Sequence, residues 1–408
     1  MDKIMVKYIK TVFKWLLISL FMGILGGLFG SIFHKCLEIV THTREENNWL
    51  ILFLPLAGII ITALYHPFRS KGGLNTNRIL SSVEAGDDVP VILSPLIFIS
   101  TLITHLFGGS AGREGAALQL GGSLGYNIGK LIKLNEDELH LIVMAGMSSF
   151  FSAMFGAPLT AAIFSLEVIR AHNTHRKGFM PCVISSAVAY LIAHFLGAEG
   201  VRYSVDVMGI SVGVILKTVV LAALCALVSI TFCLAIKYVS QYMKGLFKNE
   251  YIKTVVGSVL IIGLAFLLGT TDYNGAGMSV IDRTMNGEVS YAAFALKIIF
   301  TAITIAAGFK GGEIVPTLFI GATFGCAAGG LLGLDPAFAA SLGLVALFCG
   351  VVKCPLASVA LAVEVFGGEG ILLYAIACGV TFVLSGKFSI YEHKALLSQH
   401  KDVEKERV

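Results

Sequence analysis

The residues with the clearest chemical potential in this sequence stand together, in Gly108-Gly109-Ser110-Ala111-Gly112-Arg113-Glu114-Gly115-Ala116-Ala117-Leu118-Gln119-Leu120-Gly121-Gly122. One arginine and one glutamate are set among glycines, between an apolar run that ends near Phe107 and another that begins at Ala116. A carboxylate at membrane depth is costly unless it is paired, faces water or takes up a proton. Glycines let the backbone turn and approach a ligand closely, and the start of the helix that follows offers free N–H groups to an anion. Glu114 therefore reads as a titratable gate beside an anion site. The same residues also suit a tight turn whose Arg113 and Glu114 form a salt bridge at the headgroups, and spacing alone leaves both readings open.

The elements that must position these groups are set by composition. Of 408 residues, 56% are hydrophobic and only 14% are charged, with a mean hydropathy of +0.83. Such a balance excludes a soluble globular domain and predicts an all-α polytopic membrane protein. Forty-five glycines exceed what straight packed spans need, and suit broken helices around a cavity. Net charge is +4, with no basic tract of the kind that binds nucleic acid. Lysines at 3, 7, 10 and 14, the pair Arg176-Lys177 and the tail after Lys387 suggest cytoplasmic ends and one cytoplasmic loop. The first apolar run, about Val12 to Phe33, is too long for a signal peptide and reads as a retained helix. Eight scattered cysteines form no C-x-x-C pair, and the histidines have no metal spacing, so neither a metal nor another cofactor is expected.

Apolar runs recur to about Leu384, and many fall short of the roughly 20 residues a straight span needs. Met208–Ile236 is long enough to cross at a steep tilt. Short, Gly/Pro-interrupted segments in matching positions of two halves point to a transporter with a midplane site. Ala157-Pro158-Leu159 leads to Glu167, and Cys354-Pro355-Leu356 leads to Glu364; each glutamate follows its proline by nine residues (167 − 158 = 364 − 355 = 9). Gly112, Gly121 and Gly125 are matched at an offset of 200 by Gly312, Gly321 and Gly325. The glycine-rich helix start thus occurs twice, the second time as Gly308-Phe309-Lys310-Gly311-Gly312-Glu313-Ile314-Val315-Pro316, with the proline suited to a first helical turn.

With these residues in hand, the chain resembles the CLC family of anion channels and anion/proton antiporters over nearly its whole length. Gly112-Arg113-Glu114-Gly115 followed by Gln119 is similar to the family's G-R-E-G-x-x-x-Q motif. Gly311 to Pro316 resembles its second motif, and Ser389-Ile390-Tyr391 resembles the short helix whose tyrosine closes the inner side of the anion site. The resemblance implies a CLC-type fold of two inverted repeats of tilted and broken helices, spanning about 12–198 and 207–386 of a single transmembrane domain. It implies a homodimer with one pore per subunit, in a bacterial plasma membrane, both termini cytoplasmic. A short C-terminal helix and tail over 387–408 would leave no room for a cytoplasmic regulatory domain. The implied anion cradle is Gly73, Leu74, Asn75, Arg113, Gly115, Ile314 and Val315, with the Tyr391 hydroxyl as inner donor. Glu114 and Glu313 are the implied gate and proton carriers.

Three departures from the family pattern shape the substrate. The first motif, usually G-S-G-I-P, should fall near Lys71 to Thr76, where Leu74 or Asn75 replaces the serine. Val168 stands where chloride antiporters carry an inner proton-relay glutamate, and Glu313 stands where an apolar residue is common. Together these resemble the fluoride-exporting bacterial branch. The expectation is proton-coupled halide antiport, of fluoride or chloride, with a passive voltage-gated-type chloride channel of the same fold as the alternative. An enzyme is not expected, since Ser110 has no partner histidine in a matching motif.

Other residues take structural readings. Glu167 and Glu364 are expected to bond backbone at helix ends, and Lys353 to snorkel or pair with a carboxylate. Lys310 is placed at an aqueous vestibule, Phe150, Phe151, Phe155 and Phe164 in packing, and Asp272 to Asn274 in a solvated turn.

Overall fold

The computed structural model describes residues 2–71, 79, 88–169, 174–198 and 200–391, so Gly73, Leu74 and Asn75 lie outside the described residues. Fifteen α-helices occur among the described residues: α1 (Asp2–Glu46), α2 (Leu54–Tyr65), α3 (Leu93–Leu106), α4 (Glu114–Leu131), α5 (Glu136–Phe155), α6 (Pro158–Val168), α7 (Thr174–Phe195), α8 (Val212–Leu246), α9 (Glu250–Leu268), α10 (Met278–Met285), α11 (Ala293–Ala307), α12 (Ile314–Leu331), α13 (Pro336–Val352), α14 (Pro355–Phe366) and α15 (Ile371–Leu384). Seven helical stretches among them are long and apolar enough to cross a bilayer. Others are not: at about 1.5 Å per residue, the 11 residues of α6 reach only about 16 Å. Helices of that length end inside the hydrocarbon, where their end groups must find partners within the protein.

Helix limits follow local chemistry. Asn135 and Asp335 cap α5 and α13, accepting from Glu138 N and Phe338 N at 2.9 Å each. Pro158 and Pro355 open α6 and α14, where a missing N–H costs nothing. Gly156 ends α5 in the left-handed region (φ 71°), and Lys353 takes the corresponding place after α13 (φ 62°). Two helices outrun the apolar patterns. Instead of stopping near Phe33, α1 continues to Glu46, because neither proline nor a cap intervenes before Asn47 (φ −127°). Likewise α8 begins after the Ser211 cap and carries through polar residues to Leu246.

The two halves are related by exchanged bonds. Gly112 N donates to Gly312 O and Gly312 N to Gly112 O, both at 2.6 Å. Ser110 N donates to Thr304 Oγ1 (3.0 Å), and Lys310 N to Thr104 Oγ1 (3.3 Å). Glu364 accepts from Leu159 N and Thr160 N, while Glu167 accepts from Leu356 N and Ala357 N. Each bond recurs with its partners swapped, which is what a two-fold axis between inverted repeats produces. The backbone bonds expected of Glu167 and Glu364 are therefore present, and each reaches across to the opposite repeat.

Glycine allows the helices of each half to touch backbone to backbone. A Cβ on Gly121 would lie 2.1 Å from Gly146 O, and one on Gly321 would lie 2.5 Å from Gly343 O. Phe151 stacks on Phe155 and Phe164, and Phe164 meets Phe348 across the halves, so these rings do pack. Several expectations need correction. Arg176-Lys177 lie in the opening turns of α7 rather than in a loop, since the helix begins at Thr174. Tyr273 and Asn274 are buried, because the turn they form is tied to neighbouring backbone. The last described helix ends at Leu384, and 385–391 are not helical; the rest of the expected C-terminal helix and tail lies outside the described residues.

Candidate functional site

The site lies where α4 and α12 begin. The Gly112–Gly312 bridge crosses the two approaching strands, and the first turns then close on each other. A Cβ on Gly115 would stand 2.7 Å from Gly312 Cα, and one on Gly312 would stand 2.4 Å from Gly115 N. Only glycine permits this approach. First-turn N–H groups have no acceptor within their own helix, and both helix dipoles present their positive ends here. Two such starts in contact form a site that favours negative charge without any metal.

A carboxylate of the protein already uses part of it. Glu114 is 1% exposed, and its Oε2 accepts from Arg113 N at 3.1 Å. Arg113 Nε donates to Glu114 Oε1 at 3.3 Å. The ion pair expected for a headgroup turn is thus present, but its carboxylate is buried against the start of α4. Arg113 itself keeps its side chain 15% exposed, at the edge of the cluster.

Glu313 occupies the N-cap of α12 without turning its side chain onto that helix. Its backbone oxygen accepts from Thr317 Oγ1 at 2.7 Å. Its Oε2 lies 3.6 Å from the Cβ position of Gly115, so the second carboxylate stands beside the first turn of α4. Ile314 and Val315 are buried and supply apolar walls. Tyr391 is also buried, and its hydroxyl has no hydrogen-bond partner among the described residues. It is within electrostatic range of both Glu313 and Glu114. Ser389 Oγ and Ile390 N, bonded to Val351 O, fix that segment to the end of α13. Of the residues anticipated from sequence, Arg113, Glu114, Gly115, Glu313, Ile314, Val315 and Tyr391 therefore belong to one neighbourhood. Gly73, Leu74 and Asn75, outside the described residues, are not placed.

Lys310 is half-buried, with Nζ 4.3 Å from the Tyr65 ring centroid. Lys353 is buried and donates to Ser385 Oγ at 2.5 Å. Lys297 was not singled out by sequence reasoning, yet it is fully buried in α11. Its signal was available, as a single charge in the apolar run from Tyr291 to Ala306.

Comparison with known proteins fits this geometry. A profile of the family described as "Voltage gated chloride channel" matches residues 57–386. A "Chloride/fluoride channel protein" of Pseudomonas syringae pv. tomato is 31% identical over 386 residues, covering 93% of this chain and 85% of the relative. The "H(+)/Cl(-) exchange transporter ClcA" of Vibrio cholerae is 27% identical over 89% of this chain and 84% of its own length. Among solved structures, a "CLC-type fluoride/proton antiporter" superposes with a TM-score of 0.89 at 30% identity, over 93% of this chain and 97% of that one. A slow cyanobacterial Cl−/H+ antiporter, at TM-score 0.80 and 18% identity over 95% of this chain and 97% of that one, shares the fold.

Proposed function

The chain belongs to the voltage gated chloride channel family, and we propose that it is a proton-coupled halide antiporter that moves fluoride in preference to chloride. The observation that carries this reading is the Glu114 carboxylate lying on the start of α4, with a second carboxylate, Glu313, beside the same turn. An ionised Glu114 competes with an anion for backbone N–H groups. A protonated Glu114 no longer needs them, leaves the cradle and carries its proton. Anion and proton then exchange places at one site, which is antiport.

The choice of halide follows from the second carboxylate. Glu313 beside the cradle repels a resident anion when ionised, and donates a hydrogen bond when protonated. Fluoride is small, strongly hydrated and a good hydrogen-bond acceptor, so it gains most from close, strong donors. Chloride gains more from a looser ring of dipoles and hydroxyls, and the serine expected in the first motif is replaced near Leu74 and Asn75. The name of the superposing fluoride/proton antiporter supports the same halide, and that of the Pseudomonas relative includes fluoride beside chloride. Val168, buried in place of an inner relay glutamate, leaves Glu313 as the second proton-carrying group of this reading.

In this proposal the protein sits in a bacterial plasma membrane with the basic start of α1 on the cytoplasmic side. Proteoliposomes loaded with either halide, with internal pH recorded, test the function directly. A fluoride gradient is expected to drive protons uphill, with chloride slower. Equal or faster chloride flux would remove the fluoride assignment, and anion flux without proton movement would make the protein a passive channel.

A further inference from the structure

We infer that Lys297 is a positioning residue for the Glu114 gate, acting through the 273–275 turn; this rests on the antiport reading above. Its ammonium group donates to Tyr273 O (3.2 Å) and Gly275 O (2.8 Å), and lies 5.0 Å from the centroid of the Phe319 ring in α12. The turn it grips passes the hold onward. Asn274 Nδ2 donates to Gly108 O at 2.6 Å, and Gly275 N donates to Gly109 O at 3.1 Å. Those carbonyls belong to the strand that leads directly into Arg113 and Glu114. Two hydrogen bonds from the ammonium group to the turn, and two from the turn to Gly108 and Gly109, therefore link Lys297 to the backbone that aims the gate.

Three further observations single this lysine out. It is 0% exposed, so burying its charge demands a return in interactions. Its counterpart 200 residues earlier is Ile97, also buried, so the charge was placed in only one of two matching positions. Helix packing alone is satisfied by the apolar residue. The turn has also been shaped to fit the clamp from its other side. A Cβ on Gly275 (φ 56°) would lie 1.9 Å from Arg44 Nη1, which itself reaches His105 O at 3.4 Å. The turn is thus held between Lys297 and Arg44, with no room for a side chain at Gly275.

A gate aimed through this chain should lose proton coupling when the chain is cut at either end. The test compares full-length wild type, Lys297→Met, Asn274→Ala and the double variant in fluoride-loaded vesicles, reading protons moved per anion. Each single variant should lower that ratio by about twofold or more, and the double variant should be no worse than Lys297→Met alone. A merely structural lysine would reduce the amount of folded protein and leave the ratio of the survivors unchanged. Wild-type coupling in Lys297→Met overturns the inference, as do independent, additive losses in the double variant. Should Lys297→Met fail to fold, Asn274→Ala decides alone: unchanged coupling there overturns it. If the wild type moves no protons, the antiport reading has failed, which is a separate result.

Discussion

At the scale of single residues, two carboxylates have different tasks because their attachments differ. Glu114 lies on the backbone of its own helix start, whereas Glu313 stands at an N-cap and faces the other helix. Glu114→Gln replaces a group that carries a proton with an amide of the same shape that cannot. It should abolish proton coupling and flatten the pH dependence of anion flux, while anion movement persists or changes in rate. Uphill proton movement in that variant would show that another group is the carrier. Glu313→Ala should impair proton-coupled fluoride transport while anion binding survives, since the helix-start N–H groups remain. Binding measured by isothermal titration alongside flux checks this, and full coupling in the variant would remove Glu313 from the proton route.

At the scale of elements, the short helices are held by cross-repeat caps. Glu364 gives both carboxylate oxygens to Leu159 N and Thr160 N at the start of α6, at 2.8 and 2.7 Å, and Glu167 does the same for α14. Removing one such acceptor leaves two first-turn N–H groups without it, and the part-buried one of each pair costs about 1–3 kcal/mol. Glu364→Ala and Glu167→Ala should therefore lower the melting temperature of the detergent-solubilised protein, by similar amounts because the caps are symmetric. A circular dichroism melt with no shift in either would assign these bonds little weight. The spacing of Pro158 to Glu167 and Pro355 to Glu364 made these elements legible in the sequence, as did the glycines offset by 200. Local capping did the rest: Asn135, Asp335 and the prolines act within a turn of where they stand. What the sequence hid depends on contacts remote in the chain. That each glutamate caps the other repeat's helix, or that Asn274 is buried by bonding Gly108 O, cannot be read from neighbours in sequence. The lengths of α1 and α8 were also hidden, because apolar patterning ends before the helices do.

At the scale of the whole molecule, the placement of the site within one chain decides how a dimer should behave. We propose a homodimer, as the family resemblance implies, with each subunit transporting alone. Glu114, Glu313 and Tyr391 come from α4, the start of α12 and the segment anchored to the end of α13, all in one polypeptide. The two-fold relation that brings the helix starts together is internal to that chain, through Gly112 and Gly312. The described part of the cradle therefore comes from one chain, and coupling between subunits would need an element that reports one gate to the other. A covalently linked dimer carrying Glu114→Gln in one subunit should retain about half of the wild-type proton exchange, since independent sites add. Loss of all exchange in that construction, with the linked wild-type pair active, would mean that the two subunits share a pathway and that the single-chain cradle is not the transport unit.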